Sequence, residues 1–154
     1  MSLAHHHRYD YSAIVDRPDF SWPHGKRLAV HIGMNFEHFD FGKGYGASLA
    51  AGRQEPDVLN YAWRDYGNRV AGWRMLDLFE ALDFPVGLIV NSSIADYCPE
   101  LIAAYQQRLA CEIIGHGQTN SESQNEFAEV DEAAMIGQSR ARLAEAFGET
   151  PTGW

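Results

Sequence analysis

The chain has 154 residues, 45% apolar and 21% charged, the balance of one globular domain long enough to bury a core. Its net charge of −9, from 12 basic and 21 acidic side chains, disfavours nucleic acid or an anionic membrane surface as the main partner, since both select a basic face. No stretch approaches the roughly 18 apolar residues that span a bilayer, and no apolar run follows the basic residues near Met1 as it would in a secretory leader.

Cys98 and Cys111 match no zinc or redox spacing, so two reduced thiols in a cytoplasmic protein are expected. Residues 1–26 carry Pro18, Pro23 and Gly25 among aromatic side chains and are expected to form an irregular arm; His5, His6 and His7 within it are set aside as site candidates. The domain proper is expected over 27–154. It opens with Arg27 to Met34 (RLAVHIGM), an apolar run that reads as a buried strand. Phe39 to Asp57 holds four glycines and a proline without periodicity and reads as a long loop, with a role in substrate choice or a subunit contact. Its alternating Gly42, Gly44 and Gly46 are followed by no Lys-Ser/Thr and no helix, which disfavours a phosphate loop.

Trp63, Tyr66, Val70, Trp73, Leu76 and Phe79 recur at helical spacing, which places them on one predicted helix face, ended by Asp83 and Pro85. Pro85 to Asn91 (PVGLIVN) is a second strand, after which Ser92 or Ser93 is placed to cap a turn. Pro99 to Leu109 reads as a helix with proline in its first turn. Cys111 to Ile114 is a third strand, closed by Gly115. Val130, Ala133, Ile136, Leu143 and Phe147 mark a last helix stopped by Gly148, and Thr150 to Trp154 leads towards a fourth strand. Alternation of this kind argues for parallel strands joined by right-handed crossovers. Barrels and open doubly wound sheets share the pattern, and in both the chemistry gathers at the carboxyl ends of the strands.

Two polar clusters stand there. Asn35-Phe36-Glu37-His38 follows the first strand, and Gly115-His116-Gly117-Gln118-Thr119-Asn120-Ser121-Glu122 follows the third. Alternate residues of an extended segment point the same way, so Asn35 and Glu37 can share one pocket. His116 and Asn120, four apart, can face together in a turn. Each cluster also has a plainer reading, as a turn asparagine with solvated neighbours or a turn histidine. Their shared position at one end of the sheet favours function, because polar groups converge there in enzymes.

The strings RYDYSAIVDRP, WPHGKRLAVHIGMNFEHF, LNYAWRDYGNRVAGWRMLDLFE and EIIGHGQTNSE run through most of the chain from about Arg8. They resemble the polysaccharide deacetylase (NodB-homology) superfamily, and within it the branch of allantoinase-like and cyclic-amide hydrolases. The resemblance implies an α/β fold, a distorted (β/α) barrel of which this chain would be an incomplete amino-terminal part, since relatives continue past Pro151-Thr152-Gly153-Trp154. It implies a hydrolase of carbon–nitrogen bonds other than peptide bonds, with a small-molecule amide, ureide or amino-sugar substrate, in a homo-oligomer.

In metal-dependent relatives an acidic pair after the first strand supplies the base and one ligand, and a later His-x-x-x-His supplies two more. Position by position, Asn35 stands at the base, Glu37 at the first ligand, His116 at the first histidine, and Asn120 replaces the second. An amide cannot accept a proton near neutral pH and is a poor zinc ligand. The resemblance therefore implies Glu37 and His116 as the catalytic residues and Asn35 and Asn120 as substrate-binding residues. A divalent metal such as zinc would have only Glu37 and His116 as strong ligands, where catalytic zinc usually has three. Two alternatives stand beside this: a catalytically inactive member serving as a binding or assembly module, and a metal-dependent N-acetyl-sugar deacetylase. Little activity is expected of the 154 residues by themselves.

Overall fold

The computed structural model describes residues 9–42 and 56–154. Residues 5–7 and most of the expected 39–57 loop, Gly44 and Gly46 included, lie outside the described residues. The chain divides into two compact units, Met1–Val30 and His31–Trp154. In the first, short 3-10 turns at Ile14–Asp16 and Pro23–Gly25 are flanked by extended backbone, and none of its described residues is buried. Local contacts shape it: Phe20 meets Trp22 edge to face at 5.5 Å, and Arg17 donates to the Ser12 carbonyl at 2.7 Å.

The second unit is built on three parallel strands in the order β1-β2-β3: β1 (Gly33–Phe36), β2 (Val86–Val90) and β3 (Cys111–Gly115). The first strand starts later than the sequence suggests. Leu28 and Val30 are exposed, and the ladder begins with Gly87 N–H donating to the Ile32 carbonyl at 2.9 Å. The register pairs Gly33 with Gly87, so His31 falls opposite Pro85, which has no N–H to extend the ladder. The expected fourth strand is present as a start: Gly153 forms a parallel bridge with Ile114, and Gly115 N–H donates to the Gly153 carbonyl at 3.0 Å. Successive strands are added on one side without a reversal of order, so these elements contain no switch point of the doubly wound kind.

Between β1 and β2 runs one long helical segment in three parts: α1 (Val58–Tyr66), a π-helical turn (Gly67–Ala71) and α2 (Gly72–Leu82). Asp57 caps its start by accepting from Asn60 N–H at 3.0 Å, and Asp83 ends it with φ of 52°. The single apolar face expected here is corrected. Leu76 and Phe79 are buried, but Trp63 and Tyr66 are exposed, and the residues that α1 and the π turn bury are Asn60 and Asn68. A π turn inserts one residue, about 100° of rotation, so the faces before and after it are out of phase.

α3 (Ile94–Tyr97) and α4 (Pro99–Arg108) follow β2, and α5 (Glu129–Phe147) follows β3, ended by Gly148 with φ of 72°. On α5 the buried positions are Met135, Ser139 and Leu143, while Val130 and Ala133 are exposed. Ser93 occupies the N-cap position of α3 without a capping bond from its side chain. Cys98 and Cys111 are both free thiols, and burial pushes the Cys98 thiol up to about 11. Among the described residues no helix is long and apolar enough to cross a membrane.

One face of the sheet carries the core. Phe36, Val86, Leu88, Val90 and Ile113 pack with Leu76 and Phe79 of α2, Leu101, Ile102 and Tyr105 of α4, and Leu143 of α5. Tyr105, fully buried, donates to the Gly72 carbonyl at 2.7 Å and meets Phe36 edge to face at 5.1 Å. Gly72 is required by this approach, since a Cβ there would lie 2.9 Å from the Phe36 ring. The other face presents Gly33, Asn35, Ile89 and Ile114, which are exposed or half-buried.

Candidate functional site

The register sets the site. Asn35 pairs with Ile89, and Ile89 with Ile114, so all three lie on the face opposite the helical core. Two residues further along each chain stand Glu37, Asn91 and His116, which by the period of two share that side at the carboxyl end of the sheet. The ladder carries on to this level: Asn91 N–H donates to the Phe36 carbonyl and His116 N–H to the Val90 carbonyl, both at 3.1 Å.

The Glu37 carboxylate is the meeting point. Asn35 Nδ2 donates to its Oε1 at 3.0 Å, His116 Nε2 lies 3.5 Å from the same oxygen, and Asn120 is near enough to help lower its pKa. The His116 bond is the largest of the influences on Glu37; with the Asn35 bond and the Asn120 side chain it outweighs partial burial and holds the carboxyl below its ordinary range. Glu37 is therefore ionised at neutral pH. All four residues named from the sequence, Asn35, Glu37, His116 and Asn120, are thus brought together around the Glu37 carboxylate.

Asn91 organises the set and was not singled out from the sequence. Fully buried, it accepts from His38 N–H at 2.8 Å and donates from Nδ2 to Asn120 Oδ1 at 3.0 Å and to the His116 carbonyl. With its oxygen held by Asn91, Asn120 has only its NH2 to offer Glu37, in keeping with its lowering of the Glu37 pKa. The neighbouring backbone is tied as well, since Asn120 N–H donates to the His38 carbonyl at 2.8 Å. Asn68, buried in the π turn, donates from Nδ2 to the Glu37 carbonyl at 2.7 Å, so the wide turn fixes the backbone of the central residue. π turns often mark functional positions. The available sequence signal for Asn91 is positional: Asn91-Ser92-Ser93 is a third polar run at the same end of the sheet. Asn68 carried no comparable signal.

A second network supports His38. Its Nδ1 lies 3.0 Å from Ser93 Oγ, and its ring stacks on Tyr97 at 4.5 Å between centroids. The Tyr97 hydroxyl donates to Asp65 and accepts from Arg69 at 2.8 Å; burial, then the Asp65 contact, raises its pKa. Above Glu37 opens a cleft of about 310 Å³, whose walls include Asn35, Phe39, Trp63, Arg64 and Tyr66. The exposure of Trp63 and Tyr66 is thereby explained: they form the rim of this cleft, not part of the core.

Whether the donor set suits a catalytic zinc-like ion can be read from its chemistry. Among the described residues no three His, Cys, Asp or Glu side chains converge. Asn120 Oδ1 is already occupied by Asn91, and Asn35 turns its NH2, not its oxygen, to Glu37. Glu37 and His116 alone do not fit the three strong ligands such an ion requires.

The fold is similar to solved structures of an allantoinase and of polysaccharide deacetylases. The Puue allantoinase superposes with a TM-score of 0.73 at 24% identity, over 86% of this chain and 47% of that one. A probable polysaccharide deacetylase from Pseudomonas aeruginosa PAO1 superposes with a TM-score of 0.67 at 23% identity, over 80% of this chain and 45% of that one. The chain thus spans less than half the length of these structures, and at such identity the likeness establishes the fold. No family model and no curated protein matches the chain.

Proposed function

We propose that the chain carries the site of a hydrolase of carbon–nitrogen bonds other than peptide bonds, acting on a small linear or cyclic amide or ureide, within a distorted (β/α) barrel. The observation that carries this is the convergence of Asn35, His116 and Asn120 on an ionised Glu37 at the carboxyl ends of parallel strands, beneath an open cleft. The barrel reading rests on strands added in one direction, with the site-bearing face free of helices as a barrel interior would be.

In this reading His116 Nε2 carries the proton that bonds Glu37, and the other ring nitrogen is the basic one. Water attacks the amide carbonyl carbon as its proton passes to the Glu37–His116 pair. The imidazolium so formed lies 3.5 Å from the carboxylate. The C–N bond then breaks, the proton moves to the leaving nitrogen, and a carboxylic acid and an amine result. Asn35 keeps its Oδ1 to accept a substrate N–H, and Asn120 has a second N–H to donate to the substrate carbonyl, where negative charge develops. No step is routed through a metal, because the donor set does not suit one.

The test is single-turnover hydrolysis at high protein concentration against linear amides, cyclic imides, ureides and N-acetyl sugars. Release of ammonia or amine that His116→Ala abolishes is the expected result, and no release from any member sinks the reading. Saturable binding without release would favour a binding module instead, a reading supported by the amide at Asn35, where relatives place a base.

A further inference from the structure

We propose that Arg64 is the receptor for a carboxylate on the substrate, so that the amide hydrolysed at Glu37 and His116 belongs to a small anionic acid. This rests on the hydrolase reading and names its substrate class.

Arg64 lies on α1, in the wall of the cleft that also contains Glu37. Two contacts fix its guanidinium. Its Cζ lies over the buried Phe39 ring, 4.1 Å from the centroid, and its Nε donates to Asn60 Oδ1 at 3.2 Å. The cation–π contact and the Nε bond hold the group in place, and neither uses the paired Nη1 and Nη2 edge. That edge is the fork that matches two carboxylate oxygens. Arg69, Arg108 and Arg142 of the same unit each pair with a carboxylate, whereas Arg64, like Arg74 and Arg140, has no acidic partner among the described residues. Of these three, Arg64 is the one that lines the cleft with Glu37, and in a chain of net charge −9 an arginine placed there without a carboxylate makes a local anion site.

The rest of the cleft suits the remainder of such a molecule. Trp63 and Tyr66, exposed at the rim by the phase shift of the π turn, offer flat faces to a planar amide or ureido group. The two anchors divide the labour: the fork takes the acid, and the Asn35 and Glu37 side of the cleft takes the amide. A substrate with both groups would be oriented with its amide at the reacting pair.

Calorimetric titration of the 154-residue chain with N-carbamoylglycine and with its neutral isostere N-carbamoylglycinamide tests this. The acid should bind about tenfold or more tightly, the usual discrimination of a charge-assisted, bidentate contact. Arg64→Met should erase the preference, and Arg64→Lys, which keeps the charge but loses the fork, should retain only part of it. His116→Ala should leave the preference intact while hydrolysis is lost, so failure of this inference and failure of the hydrolase reading are told apart. Thermal melts check that the variants fold, and if Arg64→Met does not, Arg64→Lys decides. Equal binding of the two probes by the unaltered chain, no saturation by the acid in the millimolar range, or an undiminished preference in the Arg64 variants would overturn the proposal.

Discussion

Replacement of Asn91 by alanine is the most direct challenge to the account of the site. The side chain is fully buried and satisfies three groups: His38 N–H, the His116 carbonyl and Asn120 Oδ1. Asn91→Ala strands all three. A buried group left without its partner costs about 1–3 kcal/mol. The low end applies, because His38, His116 and Asn120 are only half-buried and water can reach the space left by the amide. About 3 kcal/mol of lost stability is the expectation, a large share of the total for a domain of this size. Urea unfolding with an unchanged m-value measures it. A second readout tests positioning: once Asn120 is released, it is no longer limited to offering Glu37 its NH2, so the Glu37 carboxyl, followed by carbon NMR, should titrate at higher pH. Asn91→Asp should be at least as harmful, since it sets a carboxylate against two acceptor oxygens. A loss well under about 1 kcal/mol, with Glu37 titrating as before, would refute the role given to Asn91.

Two further outcomes follow from the geometry. A Cβ on Gly115 would lie 2.6 Å from the Trp154 ring, so Gly115→Ala should cost about 1 kcal/mol by overpacking, the low end because this half-exposed ring can swing aside; the cost should vanish in a Trp154→Ala background, and a cost that persists there would locate the strain elsewhere. Glu37 is held below its ordinary value of 4.5, so its contribution to stability is present above that pH and is lost as pH falls through the depressed folded value. Glu37→Gln should therefore unfold less steeply in acid than the unaltered chain, the gap between them closing below about pH 4.5; parallel acid-unfolding curves would contradict the depressed value.

Much of the site was legible from the chain alone, because strand geometry has a short, strict period. Once the apolar runs at 85–91 and 111–114 are read as buried strands, the residues just beyond a strand fall at one end of the sheet. The alternation then puts Asn35 with Glu37, and the proximity of the two clusters follows from parallel winding. Helix stops were equally local: Asp83 and Gly148 end their helices as expected from their places after the last apolar residue, both in the left-handed conformation.

What the sequence could not decide depended on partners distant in the chain. The strand at 27–34 looked complete because its apolarity was visible, while the missing N–H of Pro85 opposite it was not. Trp63 and Tyr66 looked like core because helical periodicity assumes one unbroken phase; the π turn that rotates them to the cleft is held by Asn68 reaching the Glu37 carbonyl 31 positions away. The order of the strands, which separates a singly wound sheet from a doubly wound one, is a property of pairing and not of any segment. The roles of Asn91 and Arg64 are of the same kind. A buried asparagine and a surface one, or a paired and an unpaired arginine, are identical as letters, and only the neighbours that folding brings within hydrogen-bond distance make one a scaffold for the site and the other a free fork.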